Sequence, residues 1–410
     1  MNGQFCMQTD ILIVGGGAGG LAAAINAKRA SARLNVVLAE AQPRTGKKLL
    51  ATGNGRCNIM NAEAAPERYA GDAHFIAPAL DYYKAEHEAF WHEAGVPLML
   101  EDEGRVYPRA NQSNAVLDAL RLRLRELGAL ETTGFECARL QKTKVGFKAV
   151  SSAGDEILCR RLILATGGRA GKGLGENESF IKLLSPFGHT FSPTYPALTF
   201  FITDRRLISG LKGVRMKGEV SLYNGGVHLQ SEKGEILFRD EGVSGIAVMQ
   251  LSLKAAPLIA RDAHLSLVLR PLEDANELGR RMSLYKNRPM RELFTGCLNR
   301  MLALNLIKLA GIAPEKKACE LSQAEALKLN ALLTSWQLPV TGTGGYSEAQ
   351  VMLGGARTNE FCAESLESRI VPGLYAAGEM LDVTGPCGGY NLEWAWASGM
   401  LAGRKAAESL

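Results

Sequence analysis

The chain has 410 residues, which predicts two or three domains, and its formal net charge of only +5 excludes a domain that binds nucleic acid by bulk charge alone. The eight cysteines are scattered without a C-x-x-C pair, and no histidine stands at metal-ligand spacing, so we predict neither a disulfide framework nor a metal site. The sequence shows no basic-apolar-small leader and no apolar run of about eighteen residues, and we therefore predict a cytoplasmic protein without a membrane-spanning segment.

The first predicted element is a buried strand over residues 10–14, followed by a glycine-rich turn and an alanine-rich helix. The spacing G-x-G-x-x-G falls on Gly15, Gly17 and Gly20, which would supply a tight turn, a close backbone approach to a pyrophosphate and helix-to-strand packing. A second apolar strand ends in Glu40, at the distance where a carboxylate meets a ribose hydroxyl. The pattern predicts an adenine dinucleotide without a 2′-phosphate.

A glycine-rich basic loop, RTGKKLLATGNGRCNIMN, follows this second strand over residues 44–61. A flavin extends well past its pyrophosphate, so short residues must line its ring, and this loop therefore favours FAD over NAD. We assign four of its residues to cofactor binding: Arg44, Lys48, Gly53 and Gly55. The alternative is an ordinary basic loop.

The hydrophobic pattern of the sequence changes twice in the middle of the chain. A buried strand in residues 161–168 (RLILATGG) ends in glycines where the sheet would close over the cofactor, and we assign Ala165 and Gly167 to cofactor binding. Short apolar runs between turns then predict a β-rich insert over about 191–270. A helical period over about 273–338 predicts a small helical subdomain, after which residues 341–357 lead back to the first domain.

The far end carries a second cofactor element. Residues 371–379 (VPGLYAAGE) predict a turn, a short strand and a glycine, and a glycine-rich turn and a final helix over about 391–407 follow. A helix N-terminus at the pyrimidine edge of a flavin would stabilise its anionic reduced form. We assign these residues to cofactor binding: Gly378, Glu379, Asp382, Gly388, Gly389, Tyr390 and Asn391.

Three segments, GKKLLATGNGRCN, LILATGG and GLYAAGEMLDVTGPCGGYNLEWAWASG, occur in this order, and nearly the whole chain resembles the BaiN/RdsA (YhiN) family of bacterial FAD proteins. The resemblance implies an α/β fold, with a Rossmann-like FAD-binding domain built from both chain ends (1–190 and 355–410). It also implies an inserted β-barrel-like domain (191–272 and 340–354) that carries a small helical subdomain (273–339). Family members have been assigned reduction of a uracil C5=C6 bond in large-subunit ribosomal RNA, reduction of bile-acid enones, and aminoacetone oxidation.

The predicted chemistry is reduction of an activated C=C bond, which needs a hydride from flavin N5 and a proton donor nearby. Cys57 is the first candidate donor, since a thiol with a pKa near 8.5 is protonated at neutral pH yet can release its proton. The alternative for Cys57 is a small buried residue beside the flavin ring. Arg56 would polarise a substrate carbonyl or hold the anionic flavin, or else it braces a phosphate.

By resemblance, uridine in 23S ribosomal RNA is the leading substrate, and dihydrouridine synthesis is the predicted reaction. A small-molecule enone reductase is the second hypothesis; an aminoacetone-type amine oxidase and a non-catalytic flavin-binding redox sensor remain open. Because the chain shows one dinucleotide fingerprint rather than two, we predict NAD(P)H as a transient electron donor that docks against the flavin.

A basic run could contact RNA. It consists of Arg280, Arg281, Lys286, Arg288 and Arg291, with Tyr285 among them. Such residues could neutralise phosphates and stack a base, and the alternative is a solvated helix face.

Overall fold

The computed structural model describes residues 5–171, 173 and 178–410. The chain divides into two compact units. The first combines both chain ends, Met1–Tyr195 and Val351–Leu410, and the second is the continuous stretch Pro196–Gln350.

The strands of the described residues are, in chain order, β1 (Cys6–Val14), β2 (Val36–Glu40), β3 (Met60–Asn61), β4 (Leu98–Leu100), β5 (Arg105–Pro108), β6 (Leu130–Thr133), β7 (Cys137–Lys142), β8 (Phe147–Ser151), β9 (Glu156–Leu164), β10 (Tyr195–Ala197), β11 (Phe201–Thr203), β12 (Arg215–Asn224), β13 (Val227–Phe238), β14 (Gly242–Ser244), β15 (Leu265–Arg270), β16 (Trp336–Thr343), β17 (Val351–Leu353) and β18 (Leu374–Ala376).

The α-helices are α1 (Ala18–Ala30), α2 (Lys47–Ala51), α3 (Ala73–Glu93), α4 (Ser113–Glu126), α5 (Ser179–Leu184), α6 (Ile246–Ile259), α7 (Glu277–Leu284), α8 (Met290–Leu293), α9 (Arg300–Leu309), α10 (Gln323–Thr334), α11 (Gly345–Glu348) and α12 (Tyr390–Glu408). Short 3-10 turns join several of them, among them Thr52–Gly55 and Gly378–Met380. Within the described ranges, no helix is both long enough and apolar enough to cross a bilayer.

The sheet of the first unit joins the two ends of the chain. Strands β6, β2, β1 and β9 lie side by side in parallel, and β18 pairs in parallel with the last residues of β9. The carboxyl ends of β1, β2, β9 and β18 therefore meet at one edge of the sheet, where open α/β sheets bind ligands. Strands β8 and β7 continue the sheet in antiparallel order.

Glycines allow α12 to pack closely against α1. A Cβ atom at Gly399 would lie 2.2 Å from the carbonyl oxygen of Gly19, and one at Gly403 would lie 2.1 Å from that of Ala23. Both distances are far below van der Waals contact, so only glycine allows this approach. The same α12 carries the late glycine turn at its N-terminus, and the close packing on α1 fixes where that turn lies.

A buried histidine joins two segments of the first unit. The Nδ1 atom of His189 lies 2.9 Å from a Glu360 carboxylate oxygen, and its Nε2 atom lies 2.9 Å from the Ser368 hydroxyl. That hydroxyl also accepts the N–H groups of Ile370 and Val371. The serine hydrogen is therefore directed to Nε2, and the ring is neutral with its proton on Nδ1.

We expect this histidine to make the first unit sensitive to acid. Burial lowers the pKa of His189, an effect that the Glu360 contact only partly offsets. Because the folded pKa lies below the unfolded one, the stabilising contribution is complete above about pH 6.5 and is lost as the pH falls. Denaturant unfolding between pH 8 and pH 5 should show this loss.

Two variants complete this test. His189→Gln should remove the pH dependence of the free energy of unfolding between pH 7 and pH 5. If that dependence were unchanged, groups other than His189 would be its cause. Ser368→Ala leaves Nε2 buried without its partner and should cost about 1–3 kcal/mol at neutral pH.

The second unit contains a closed antiparallel barrel in the strand order β11-β14-β13-β12-β15-β16. Helices α7 to α10 lie between β15 and β16 in sequence, and they share one hydrophobic core with the barrel. Leu267 and Trp336 of the barrel and Leu293, Leu302 and Leu306 of the helices belong to this core. The predicted fold class, a Rossmann-like domain with an inserted barrel and helices, is thereby confirmed. The division of the insert into two domains near residues 273 and 339 stays a prediction.

Candidate functional site

The glycine turn after β1 makes close backbone contacts at two of its three positions. Gly15 has φ +108°, and a Cβ atom there would lie 2.3 Å from the carbonyl oxygen of Ala165. A Cβ atom at Gly20 would lie 1.8 Å from the carbonyl oxygen of Gly15, so this glycine lets α1 pack on the turn. Within the part of the chain that the structure describes, no atom lies within 4 Å of the corresponding position at Gly17. The turn therefore leaves open space at Gly17, the first residue before α1.

The carboxylate of Glu40 is held at the end of β2. One oxygen accepts the N–H of Gly16 at 2.7 Å, and the other accepts the N–H of Gln42 at 2.7 Å. Two backbone donors fix the orientation of this side chain, which is only partly buried. Glu40 is thus prepared to meet a hydroxyl group at the same edge of the sheet as the glycine turn.

A cavity of about 320 Å³ opens at this edge. Its walls bring together Gly15, Gly17, Glu40, Lys48, Ala165 and Gly167, six of the residues that the sequence assigned to cofactor binding. Its other wall comes from the residues around the start of β7, the end of β8 and α5, and includes Phe135, Ala138, Ser152, Ser179 and Lys182. Sequence patterns gave no signal for this second wall, because its charged residues, such as Lys182, form no recognisable motif.

The second wall contains a break in the sheet. The register between β7 and β8 shifts from Cys137, opposite Ser151, to Arg139, opposite Val150. Ala138 is thus the extra residue of a β-bulge, and such a residue has no partner in the strand ladder. Its backbone is available to a ligand in the cavity, which Ala138 lines.

Lys48 links the early basic loop to the late element. Its Nζ atom lies 2.6 Å from Oε2 of Glu379, which also accepts the N–H of Gly168 at 3.3 Å. The other oxygen of Glu379 accepts the N–H of Met352 at 2.9 Å. Arg44, in contrast, makes an exposed ion pair with Asp118 and does not line the cavity.

The late strand is anchored to the final helix. The N–H of Gly378 donates to the Ser398 hydroxyl at 2.9 Å, and Trp394 donates its indole N–H to the Gly378 carbonyl at 3.2 Å. Asp382 is half-buried, and its backbone N–H donates to the carbonyl of Ala356. These contacts fix the backbone between β18 and α12.

The glycine loop before β3 contains a run of left-handed residues. Gly53, Gly55 and Cys57 have φ values of +57°, +84° and +62°. Glycine adopts this region without strain, and a side chain at Gly55 would meet nothing within 4 Å. The loop therefore presents an open backbone surface at Gly55.

Cys57 differs from its prediction. The residue is fully buried, and burial raises the pKa of its thiol to about 12, although Thr52 acts in the opposite direction. The expectation of an ordinary pKa near 8.5 is therefore wrong, because it assumed contact with solvent. A thiol this far from water releases a proton at high energetic cost, which weighs against Cys57 as the donor.

Arg56 is fixed on the small sheet β3-β5-β4. Its guanidinium lies 4.0 Å above the ring of Tyr107 and 2.5 Å from a carboxylate oxygen of Glu101, and its Nε donates to Asn111. The charge of Arg56 is thus partly neutralised within the fold. Its side chain remains about one-third exposed, so one face of the guanidinium is still open to a ligand.

The N-terminus of α12 forms a second part of the site. Gly389 (φ +105°) precedes the helix, and no side chain caps it. A Cβ atom at Gly388 would approach Asn61 Nδ2 and Arg105 Nε at 3.5 and 3.7 Å. Asn391 instead holds the preceding turn, accepting from the N–H of Gly385 and donating to its carbonyl oxygen, each at 2.8 Å. Tyr390 is buried and accepts a hydrogen bond from Tyr69 at its carbonyl.

Two residues at this helix end were missed by sequence reasoning. The amide oxygen of Asn58 is buried and has no hydrogen-bond partner among the described residues, and it lies 2.9 Å from the Cβ position of Gly389. Glu393, in the first turn of α12, is 1% exposed and accepts the N–H of Asn61 at 2.9 Å. A carboxylate inside the apolar sequence NLEWAW was the available signal for Glu393.

The site fits the predicted cofactor. The cavity at Gly17 has space for a pyrophosphate at the N-terminus of α1, with Glu40 in place for a ribose. The orphaned amide of Asn58 and the uncapped end of α12 offer an acceptor and donors for the edge of a flavin ring. An unpartnered buried amide costs free energy, which a ligand that pairs with it would recover.

The basic run is largely paired within the second unit. Arg280 contacts Asp274 and Glu277. Arg281 contacts Glu277, and Arg291 contacts Glu292 and Glu315. Lys286 and Arg288 are exposed and have no carboxylate partner among the described residues, and Arg288 stacks on Tyr285 at 4.0 Å. Two of the five predicted cations are therefore available to a partner.

Comparison with known proteins identifies the family of this chain. The family model described as HI0933-like protein Rossmann domain matches residues 9–405. The chain is 35% identical to a 3-dehydro-bile acid delta(4,6)-reductase of Clostridium scindens, over 97% of the chain and 98% of that protein. It is 30% identical to a ribosomal RNA dihydrouridine synthase of Escherichia coli, over 95% of the chain and 96% of that protein.

A solved structure gives the same fold. The chain resembles the 3-ketosteroid-delta4-(5alpha)-dehydrogenase of Rhodococcus jostii with a TM-score of 0.52 at 17% identity, over 99% of this chain and 98% of that one. The predicted family is confirmed by the two sequence relatives. The chain therefore belongs to the HI0933-like Rossmann-domain family and is an oxidoreductase of the flavin-dependent kind.

Proposed function

We propose that the chain binds FAD in the first unit and uses it to reduce a C=C bond conjugated to a carbonyl group. The observation that carries this proposal is the cavity at the sheet edge, where Gly17 is open and Glu40 is held by two N–H groups. The residues that would hold the adenosine and pyrophosphate are Gly15, Gly17, Glu40, Lys48, Ala165 and Gly167, with the Ala138 backbone beside the adenine. Gly20 would contribute by letting α1 pack on the turn.

The ring of the cofactor would lie between the glycine loop and the end of α12. Its neighbours in this proposal are Gly53, Gly55, Asn58, Gly388 and Gly389, with the Gly378–Asp382 segment and the Lys48–Glu379 ion pair beside the ribityl chain. Asn391 would act through the Gly385 backbone that its amide holds, and Tyr390 through its own backbone, which Tyr69 holds. Arg44 stays a surface residue, because its ion pair lies outside the cavity.

A bound flavin supplies the hydride that this reduction needs. Arg56 would orient the substrate carbonyl, because its guanidinium is fixed by Tyr107 and Glu101 with one face exposed. A fixed cation there would also favour negative charge as it develops on that oxygen. NAD(P)H is the proposed electron donor, and anaerobic bleaching of the bound flavin by NADH or NADPH tests it.

Uridine in 23S ribosomal RNA is the proposed substrate. The similarity to a ribosomal RNA dihydrouridine synthase over nearly the whole chain supports it. The charge distribution supports it too: residues 196–350 hold 20 Lys and Arg against 15 Asp and Glu, so the whole net charge of +5 lies in the second unit. A positive surface favours RNA phosphates.

A small-molecule enone is the second candidate. The 35% identity to the bile-acid reductase, which exceeds the 30% to the RNA enzyme, favours it. Uracil and a conjugated enone share a C=C bond next to a carbonyl, so the same flavin geometry would serve both.

Mass-spectrometric mapping of dihydrouridine in 23S rRNA, in a deletion strain and its parent, tests the proposal. We expect a dihydrouridine that disappears in the deletion strain and returns with the wild-type gene. The gene carrying Cys57→Ala tests the thiol in the same strain, and its pKa of about 12 leads us to expect restoration close to wild type. Unchanged rRNA would place the enone reductase first.

Charge reversal at the two available cations should weaken RNA binding. We expect the double variant Lys286→Glu and Arg288→Glu to bind a 23S rRNA fragment at least about tenfold less tightly, with a smaller salt dependence. The matched control is Arg205→Glu with Arg206→Glu, which reverses two exposed arginines of the same unit that already have carboxylate partners. An equal loss in both variants would indicate bulk charge, and no loss in either would assign the basic run to packing.

A further inference from the structure

A buried carboxyl group lies in the first turn of α12. Glu393 is 1% exposed and is one of the few charged residues in the interior of the first unit. Its hydrogen bond from the N–H of Asn61 is 2.9 Å long, and in the described part of the chain it takes part in no ion pair. The reaction proposed above gives this group no role.

The surroundings of Glu393 make its ionised form unfavourable. Burial raises its pKa to about 7, while the Asn61 hydrogen bond and the charge of Lys84 lower it in smaller measure. The titratable groups that face it are Tyr69, Tyr83 on α3, and Tyr390 on its own helix, together with Lys84 on α3. All three tyrosines are neutral at physiological pH, because their pKa values are raised above the ordinary value of 10.

A second observation points to a binding site at the same helix end. No side chain caps α12, and the amide oxygen of Asn58 is buried and unpartnered beside Gly389. The imide edge of a flavin carries an N–H donor between two carbonyl acceptors, and this end of α12 offers the complementary groups. Asn61 ties the two features together, because its N–H binds Glu393 and its amide donates to the carbonyl of Gly388 at 2.8 Å.

We propose that Glu393 takes up a proton when the flavin at the N-terminus of α12 is reduced, and that it thereby couples flavin reduction to pH. This inference rests on the proposed FAD site. Two electrons and one proton convert FAD to the anionic reduced form, FADH⁻, whose charge lies at the helix end. The new negative charge disfavours the Glu393 carboxylate, which binds a second proton from solvent. The balance is two electrons and two protons, with dithionite or NAD(P)H as the source of electrons.

Glu393 is a positioning residue in this proposal, because it acts on the flavin through its charge and through Asn61. Between about pH 7.5 and 8.5, above the pKa of Glu393 in the oxidised protein, the equilibrium constant for reduction should fall about 100-fold per pH unit, as expected for uptake of two protons. The variant Glu393→Gln keeps an acceptor for Asn61 and cannot take up the proton. Its constant should fall only about tenfold per pH unit.

The experiment is an anaerobic reductive titration of the FAD-loaded protein against a redox dye at several pH values. The control is Glu408→Gln in the last turn of the same helix, an exposed carboxylate that should leave the wild-type dependence unchanged. The inference would be overturned if the equilibrium constant for reduction of the wild type fell only tenfold per pH unit. It would also be overturned if this constant had the same pH dependence in the wild type and in Glu393→Gln. A protein that does not retain FAD at all would overturn the proposed function instead.

A measurement on the wild type alone covers the case in which Glu393→Gln does not fold. A reduced-minus-oxidised infrared difference spectrum at pH 8 should show the band of a protonated carboxyl group appearing and a carboxylate band disappearing. Indicator-dye measurement in weak buffer should give two protons taken up for two electrons. One proton and no carboxyl band would contradict the role of Glu393.

Discussion

Replacing Gly17 by alanine is expected to abolish retention of FAD while the chain remains folded. Gly17 has φ −75°, which alanine adopts without strain, and no atom lies within 4 Å of the position its Cβ would take. The added methyl would occupy the space in which the pyrophosphate approaches the backbone. We expect affinity for FAD to fall at least about 100-fold, equivalent to about 3 kcal/mol. Flavin absorbance after reconstitution and gel filtration measures it.

The matched comparison is Gly20→Ala, three residues further on. Its Cβ would lie 1.8 Å from the Gly15 carbonyl, so this variant should lose folding stability as well as FAD. If Gly17→Ala lost as much free energy of unfolding as Gly20→Ala, the methyl group would disturb the turn itself, and the loss of FAD could not be assigned to the pyrophosphate alone. Full FAD retention by Gly17→Ala would place the pyrophosphate elsewhere.

Replacing Gly403 by alanine is expected to lower the stability of the first unit strongly. The new methyl would lie 2.1 Å from the carbonyl oxygen of Ala23, so α12 must move away from α1. We expect a loss of about 3 kcal/mol in the free energy of unfolding, at the upper end for an overpacked core. Trp91, Trp394 and Trp396 lie in this unit, so tryptophan fluorescence in a Trp336→Phe background follows its denaturant unfolding.

Gly279→Ala separates this packing effect from helix propensity. Gly279 lies inside α7 with nothing within 4 Å of its Cβ position, so alanine there should be neutral or stabilising by up to about 1 kcal/mol. If Gly403→Ala were equally harmless, α12 would have to be free to shift on α1.

The sequence predicted the part of the site that depends on backbone shape. At positions 15 and 20 a Cβ atom would lie below van der Waals distance from backbone atoms, so glycine is required there. Such required glycines recur at a fixed spacing that can be recognised in the sequence. The positions of side chains could not be predicted in the same way. Arg44 and Lys48 have the same charge and lie four residues apart, yet only Lys48 lines the cavity.

The remaining differences between the sequence predictions and the structure arise from the way the elements pack in the folded chain. The pKa of Cys57 and the position of Glu393 depend on how α3, β3 and α12 pack around them, and residues far apart in sequence determine both. The basic run shows the same limit. Glu277 and Glu292 lie close to its arginines in sequence, whereas Glu315, which pairs with Arg291 in the folded unit, lies 24 residues further on.

The pairing of β18 with β9 also sets the order in which the chain can fold during synthesis. The strand and helix that complete the first unit, β18 and α12, are made after the whole of Pro196–Gln350. The barrel unit is continuous and can fold as soon as it has left the ribosome. The first 195 residues must wait for the last 60, with the end of β9 and the α12-facing side of α1 uncovered. The proposed cofactor site is therefore complete only after the last 60 residues have been made, and a message truncated after the insert would lack both β18 and α12.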